Sequence, residues 1–168
     1  MSATPDPDYD EVLLRFVERF AMLLHDIELP RMPARVFAYV LADDAESYTI
    51  AELAEGLRVS PAAVSTAVRH LVQIGLLGRE RRPGTRTDHY RVYDNDVWSA
   101  ITLHRMPVFD RYEECLAEGV ALLGTERPGG RRILETLEYY RFLRAETPHL
   151  VERWKEYRRR HGLGADGG

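Results

Sequence analysis

Four of the eight residues from Arg79 to Arg86 are arginine, set on either side of Pro83-Gly84. A guanidinium carries a fixed charge and five N–H donors in a planar fork that matches phosphate oxygens or a guanine edge. Arg79, Arg82 and Arg86, together with Arg81, have no evident folding purpose around such a tip. A tip run along a minor groove or a phosphate wall needs them. A little upstream, Ser60, Ala62, Ala63, Ser65, Thr66, Arg69 and His70 fall on or near one face of a helical register. Small side chains there let a helix sit deep in a major groove, and the hydroxyls, arginine and histidine can donate to phosphates or base edges.

The elements that position these groups are legible from caps and periodicity. Thr49-Ile50-Ala51-Glu52 is a capping box, and Leu53, Ala54 and Leu57 then recur at helical spacing. Ser60-Pro61 opens a second helix with a good N-cap and a proline suited to the first turn. Gly75 stands where that helix wants a left-handed residue after its end. Leu53, Leu57, Val59, Val64 and Ala67 can meet inside the corner of the pair, with Ala54 small at the closest approach. Arg58 occupies a turn position more often held by glycine. Beyond Leu76-Leu77 the pattern changes to strands, Gly78–Arg82 and Thr87–Tyr93, joined by a turn at Pro83-Gly84-Thr85. Thr49–Tyr93 thus reads as helix, turn, helix and basic hairpin.

This stretch, and more loosely the whole chain, resembles the MarR-type winged helix-turn-helix regulators, and among them the GbsR-like branch. The resemblance is carried by Thr49-Ile50-Ala51-Glu52-Leu53-Ala54, by Val59-Ser60-Pro61-Ala62-Ala63-Val64-Ser65, by Leu71-Val72-Gln73-Ile74-Gly75-Leu76-Leu77 and by Arg82-Pro83-Gly84-Thr85-Arg86. It implies a dimer that binds a pseudo-palindromic operator in double-stranded DNA, with affinity adjusted by a small-molecule effector.

The net charge of −4 is unevenly spread. Met1–Leu57 holds four Arg against twelve Asp and Glu, Arg58–Arg91 holds seven Arg against Glu80 and Asp88, and Val92–Gly168 is close to balance at −1. An acidic body with one basic edge orients a protein on a duplex and discourages non-specific coating. Lys155 is the only lysine.

The expected architecture is mainly α with a small β-hairpin wing. It places a winged helix-turn-helix domain at residues 31–95 between an N-terminal dimerisation helix at 1–30 and C-terminal dimerisation helices at 96–161, with a disordered tail at 162–168. A first helix from Asp8 to about Ile27 carries Leu13, Phe16, Val17, Phe20, Leu24 and Ile27 as one apolar stripe, expected to pack on the terminal helices. A second, from Ala34 to about Leu41, lies beneath the helix-turn-helix. Asp94-Asn95-Asp96 caps a long helix from about Val97 to Leu123, which Pro107 should kink or split. A last helix or helix pair starts near Arg131 and is expected to break before Pro148. One winged helix reads few base pairs, so two copies a helical turn apart are expected, and these long stripes supply the means to pair them.

Other chemistry is thinly supported. Cys115 sits beside Glu113 and Glu114, which disfavour a thiolate, and no second cysteine exists to resolve an oxidised one. The six histidines are scattered, His104 and Asp110 do not make a metal-sensing pair, and no metal or other cofactor is expected. No nucleophile–base pair or phosphate loop is apparent, so the chain is not expected to be an enzyme. The resemblance to the GbsR-like branch implies an effector pocket, with a quaternary ammonium such as choline, which aromatic faces can bind, as one candidate ligand, and Trp98, Tyr112, Tyr139 and Tyr140, with Phe142, are its candidate lining. The rival reading is a winged helix used as a protein-interaction module, its basic hairpin holding an acidic partner. No membrane span or export leader is visible, and a cytoplasmic location is expected.

Overall fold

The computed structural model describes residues 7–26, 29–93 and 96–164. Expectations for Met1–Asp6, Ile27, the caps at Asp94 and Asn95, and the tail from Ala165 lie outside them. The chain divides into two compact units, Met1–Tyr93 and Asp94–Gly168.

The first unit contains α1 (Pro7–Asp26), α2 (Arg31–Ala42), α3 (Ile50–Gly56), α4 (Pro61–Gln73) and a hairpin of β1 (Gly78–Arg81) and β2 (Asp88–Arg91). Its core is Val17, Val36, Phe37, Leu53, Leu57, Val64, Val68, Leu71 and Leu77, all essentially sealed from solvent. Leu13, Val17 and Ala21 recur at i, i+4 and i+8 and form the buried row of α1, which packs on α2. The stripe expected from the sequence merged two rows. Phe16 lies on an exposed row with Val12 and Leu23, and its ring stacks on Phe20 at 5.7 Å. Val59, expected inside the helical corner, is only partly buried.

The local signals of the helix pair act as anticipated. Thr49 Oγ1 accepts from the Glu52 amide at 3.2 Å, and the Thr49 amide donates to Glu52 Oε2 at 2.7 Å. Ser60 Oγ accepts from the Ala63 amide at 3.3 Å. Gly75 has φ 75°, the left-handed value wanted there, and Arg58 is the one non-glycine residue of positive φ among those described, at 55°.

The second unit contains α5 (Val97–His104), α6 (Met106–Leu123) and α7 (Pro128–Arg160). Pro107 lies in the first turn of α6, so the expected split falls at Arg105. Asp96 caps α5 through the Ser99 amide at 3.2 Å and accepts from Trp154 Nε1 of α7 at 2.9 Å, with Arg158 Nη1 at 3.4 Å from its other oxygen. The expected break before Pro148 does not occur, and α7 runs unbroken through it. Proline removes the hydrogen bond to Arg144 and crowds its carbonyl, but many turns on either side hold the register. The helix also starts earlier than expected, at Pro128. A side chain at Gly130 would run into the carbonyl of Gly124, so glycine is what lets the turn between α6 and α7 close.

Candidate nucleic-acid interface

The outer face of α4 is built from the residues the sequence singles out. Val64, Ala67, Val68 and Leu71 are buried, and the remaining positions turn outward. Ala62, Thr66 and Arg69 stand exposed at i, i+4 and i+7, Ser60 is exposed at the helix start, and Ala63, Ser65 and His70 are half-buried beside them. Thr66 Oγ1 donates to the Ala62 carbonyl at 3.3 Å, so its hydroxyl hydrogen is engaged within the helix while its lone pairs face out. Ser60 is likewise occupied as the cap, leaving its own hydrogen to donate.

The hairpin is held in a single register, Gly78 opposite Arg91, Arg79 opposite Tyr90, Glu80 opposite His89 and Arg81 opposite Asp88. Its tip is a tight turn in which the Thr85 amide donates to the Arg82 carbonyl at 3.2 Å, with Pro83 second and Gly84 third at φ 83°. Those two residues are the ones a type II turn selects. A third extended segment, overlooked in the sequence, joins this hairpin. Tyr48 exchanges backbone hydrogen bonds with Tyr90 at 2.8 and 2.7 Å, and its hydroxyl donates to Asp43. Burial, the largest cause, and that bond to Asp43 both push the Tyr48 phenol well above the ordinary range. The signal was faint, a lone aromatic between an acidic loop and a cap.

The arginines of the hairpin separate into two groups. Arg81 Nε donates to Asp88 Oδ1 at 2.8 Å, Arg79 Nη1 lies 3.8 Å from Asp88 Oδ2, and Arg91 Nε pairs with Glu80 at 3.1 Å. These cross-strand pairs give part of the basic cluster a folding purpose that the sequence reading denied it. The hydrogen bond from Arg81, foremost, holds the Asp88 carboxyl below the usual carboxylate range. Arg82 instead donates from Nη2 to the hydroxyl of Ser47 at 2.8 Å and is exposed, as is Arg86. Arg69, Arg82 and Arg86 are exposed and make no carboxylate ion pair within 4.0 Å among the described residues, although the Arg82 charge helps to hold the Glu52 carboxyl low.

In the second unit Tyr112 and Tyr140 stack at 4.7 Å, Tyr139 meets Tyr140 edge-on at 5.7 Å, and Phe109 leans on Tyr140 at 6.0 Å. Tyr112 of α6 and Tyr140 of α7 thus meet, Tyr139 stands exposed beside Tyr140 on α7, and Trp98 stands on α5, half exposed. Two cavities, of about 330 and 360 Å³, lie in the first unit and are lined by other residues. Cys115 is exposed on α6. Among the described residues no group of three His, Cys, Asp or Glu side chains could hold a metal, and no helix is long and apolar enough to cross a membrane.

Comparison with known proteins agrees with this geometry in both units. The model described as the MarR family matches residues 40–86, which span α3, α4 and the hairpin tip. The model described as an MmpR5-like MarR family transcriptional regulator matches residues 96–158. The chain is 27% identical over 137 residues to the HTH-type transcriptional regulator MmpR5 of Mycobacterium tuberculosis, covering 82% of this chain and 79% of that protein. A crystal structure described as a transcriptional regulator superposes with a TM-score of 0.76 at 24% identity, over 86% of this chain and 99% of that one, and shares the fold. Neither family match carries the GbsR-like branch expected from the sequence. With these matches and its winged helix-turn-helix, this chain is a MarR-type winged-helix transcriptional regulator.

Proposed function

We propose that the chain binds a pseudo-palindromic operator as a homodimer, with α4 in the major groove and the hairpin tip on the adjacent minor groove or phosphates. The observation that carries this reading is the segregation of charge at the hairpin. Arg69, Arg82 and Arg86 are exposed and not neutralised by carboxylates, on the one stretch of an acidic chain whose balance is positive. Ser65, Thr66 and Arg69 are assigned to base edges, and Arg82 and Arg86 to the backbone. Binding to a duplex from the gene's own upstream region, followed across a salt series, tests it. The expected result is a steep linear fall of log affinity with log salt, as neutralised phosphates release counterions. Substituting Arg82 or Arg86 should weaken all sequences alike, and substituting Ser65, Thr66 or Arg69 should change which sequence is preferred. Unaltered preference overturns the docking.

The paired state rests on surface that one copy leaves bare. No residue of α6 is buried, and the 33-residue α7 buries only Gly130, Leu137 and Val151. Leu122 is 77% exposed and Phe142 60%, large apolar side chains that contact with a second copy would take out of water. A second copy covers these faces and sets the spacing of the two reading heads.

Modulation by a small effector is the third part of the reading. Tyr112, Tyr139 and Tyr140 offer clustered aromatic faces, two of them half exposed, that suit an organic cation. Fluorescence titration with choline, compared between the unmodified chain and Tyr112→Ala, tests this, and identical curves overturn it.

A further inference from the structure

The hydroxyl at Ser47 meets the hairpin across 35 positions of sequence, and the way both partners are held makes the contact more than a surface coincidence. On one side, Tyr48 is buried and locked to Tyr90 by two backbone hydrogen bonds, which fixes the adjacent Ser47. On the other, Arg82 begins the tight turn, its carbonyl accepting from both the amide and the hydroxyl of Thr85. The nearby Glu52 carboxylate is engaged with the Thr49 amide and hydroxyl at 2.7 and 2.9 Å, and no ion pair within 4.0 Å ties it to Arg82. Among the described residues the acceptor that holds Arg82 is neutral, and the Glu52 carboxylate feels the Arg82 charge only through space.

That neutrality matters. A guanidinium has five N–H donors; giving one to a hydroxyl orients the group and leaves four, with the whole charge, for a phosphate. Asp88 acts in the opposite sense on Arg81 and Arg79, cancelling charge as it holds them. Long side chains lose rotamer freedom when they bind, and a side chain held beforehand loses less.

Resting on the interface described above, we propose that Ser47 is a positioning residue for DNA binding: it holds the Arg82 guanidinium in the orientation that meets the phosphate backbone.

The test measures affinity and salt slope for one operator-containing duplex with four full-length variants, each checked for an unchanged thermal midpoint. Ser47→Ala is expected to weaken binding by between about twofold and tenfold while leaving the salt slope unaltered, since Arg82 still reaches its phosphate. Ser47→Thr, which keeps the hydroxyl, binds as the unmodified chain does. Arg82→Ala lowers the slope by about 0.9 per protomer, and adding Ser47→Ala to it has no further effect. If Ser47→Ala weakens binding equally in the Arg82→Ala background, Ser47 acts without Arg82 and the inference is overturned. If Arg82→Ala weakens binding and Ser47→Ala does not, the inference falls and the interface stands. If Arg82→Ala changes nothing, the assignment of Arg82 to the backbone falls, and the inference with it.

Discussion

Arg81 and Asp88 face each other across the hairpin as register partners, and Arg81 Nε donates to Asp88 Oδ1 at 2.8 Å. Arg79 approaches the same carboxylate from the other side at 3.8 Å. One acidic residue therefore restrains two of the arginines that the sequence places in the basic cluster. The pair is exposed, so its worth to stability is small; its consequence is for charge.

Asp88→Asn should release both guanidinium groups. The salt dependence of duplex binding is expected to steepen by up to about 0.9 for each released arginine that reaches a phosphate. Random-sequence DNA should gain more than the operator, because phosphate contacts carry no sequence information. Acid will not mimic the substitution near neutrality. The Arg81 hydrogen bond holds Asp88 below the ordinary carboxylate range, so its pairing is complete above that range and is lost only as pH falls through the lowered value. An unchanged slope for Asp88→Asn would show that these arginines stay off the duplex.

Arg58 tests backbone strain. At φ 55° it adopts a conformation that L residues with a Cβ enter at a cost of about 1 kcal/mol or more. Arg58→Gly removes that strain, offset in part by the freer unfolded chain. Arg58→Ala keeps the strain. Both lose the charge, so the comparison isolates the backbone, and the glycine variant should be the more stable by about 0.5–1 kcal/mol in urea denaturation. Equal stability would mean the turn relaxes without strain.

What the sequence disclosed follows the range of the forces involved. Caps and turns are local. Thr49, Ser60, Gly75 and Pro83-Gly84 declare their roles within a few residues, and the structure places each in that role. Periodicity located α1 but could not divide its apolar residues into the row facing α2 and the row left open, because Phe16 and Val17 are adjacent and equally apolar. Pro148 signalled a break from local sterics alone, and a long helix overrode it. Contacts distant in sequence were invisible: the Tyr48–Tyr90 bridge, Ser47 against Arg82, and Asp96 tied to Trp154. The candidate site was legible as a list of residues. The division of its arginines into paired and unneutralised ones was not, since register decides which carboxylate lies opposite which cation.

Leu122 and Phe142 probe the paired state. Leu122→Asp or Phe142→Asp places a charge on an apolar face that a second copy is proposed to cover, where an unpartnered charge is strongly unfavourable. Light scattering should give twice the 19.3 kDa chain mass for the unmodified protein and the single chain mass for the variants. Operator affinity should fall with it, since one reading head lacks its partner. A variant that stays paired would place the contact elsewhere.

The capping box at the start of α3 ties the fold of the reading unit to pH. The Glu52 carboxylate accepts from the Thr49 amide at 2.7 Å, and the first cause of its lowered pKa is that backbone hydrogen bond, followed by the Thr49 hydroxyl. A carboxyl depressed in the folded state stabilises above its unfolded value, and loses that contribution as pH falls through the folded one. Thr49→Ala should lower stability at neutral pH by about 1 kcal/mol, the usual worth of such a cap. Glu52→Gln keeps an acceptor for the Thr49 amide but cannot titrate, so its deficit should be smaller and should shrink further in acid. Urea denaturation of the three proteins at about pH 7 and about pH 3.5, either side of the ordinary carboxylate value, reads this difference directly. If the gap between the unmodified chain and Glu52→Gln is the same at both, the Glu52 charge does not stabilise α3, and the neutral hydrogen bonds of the cap alone hold its first turn.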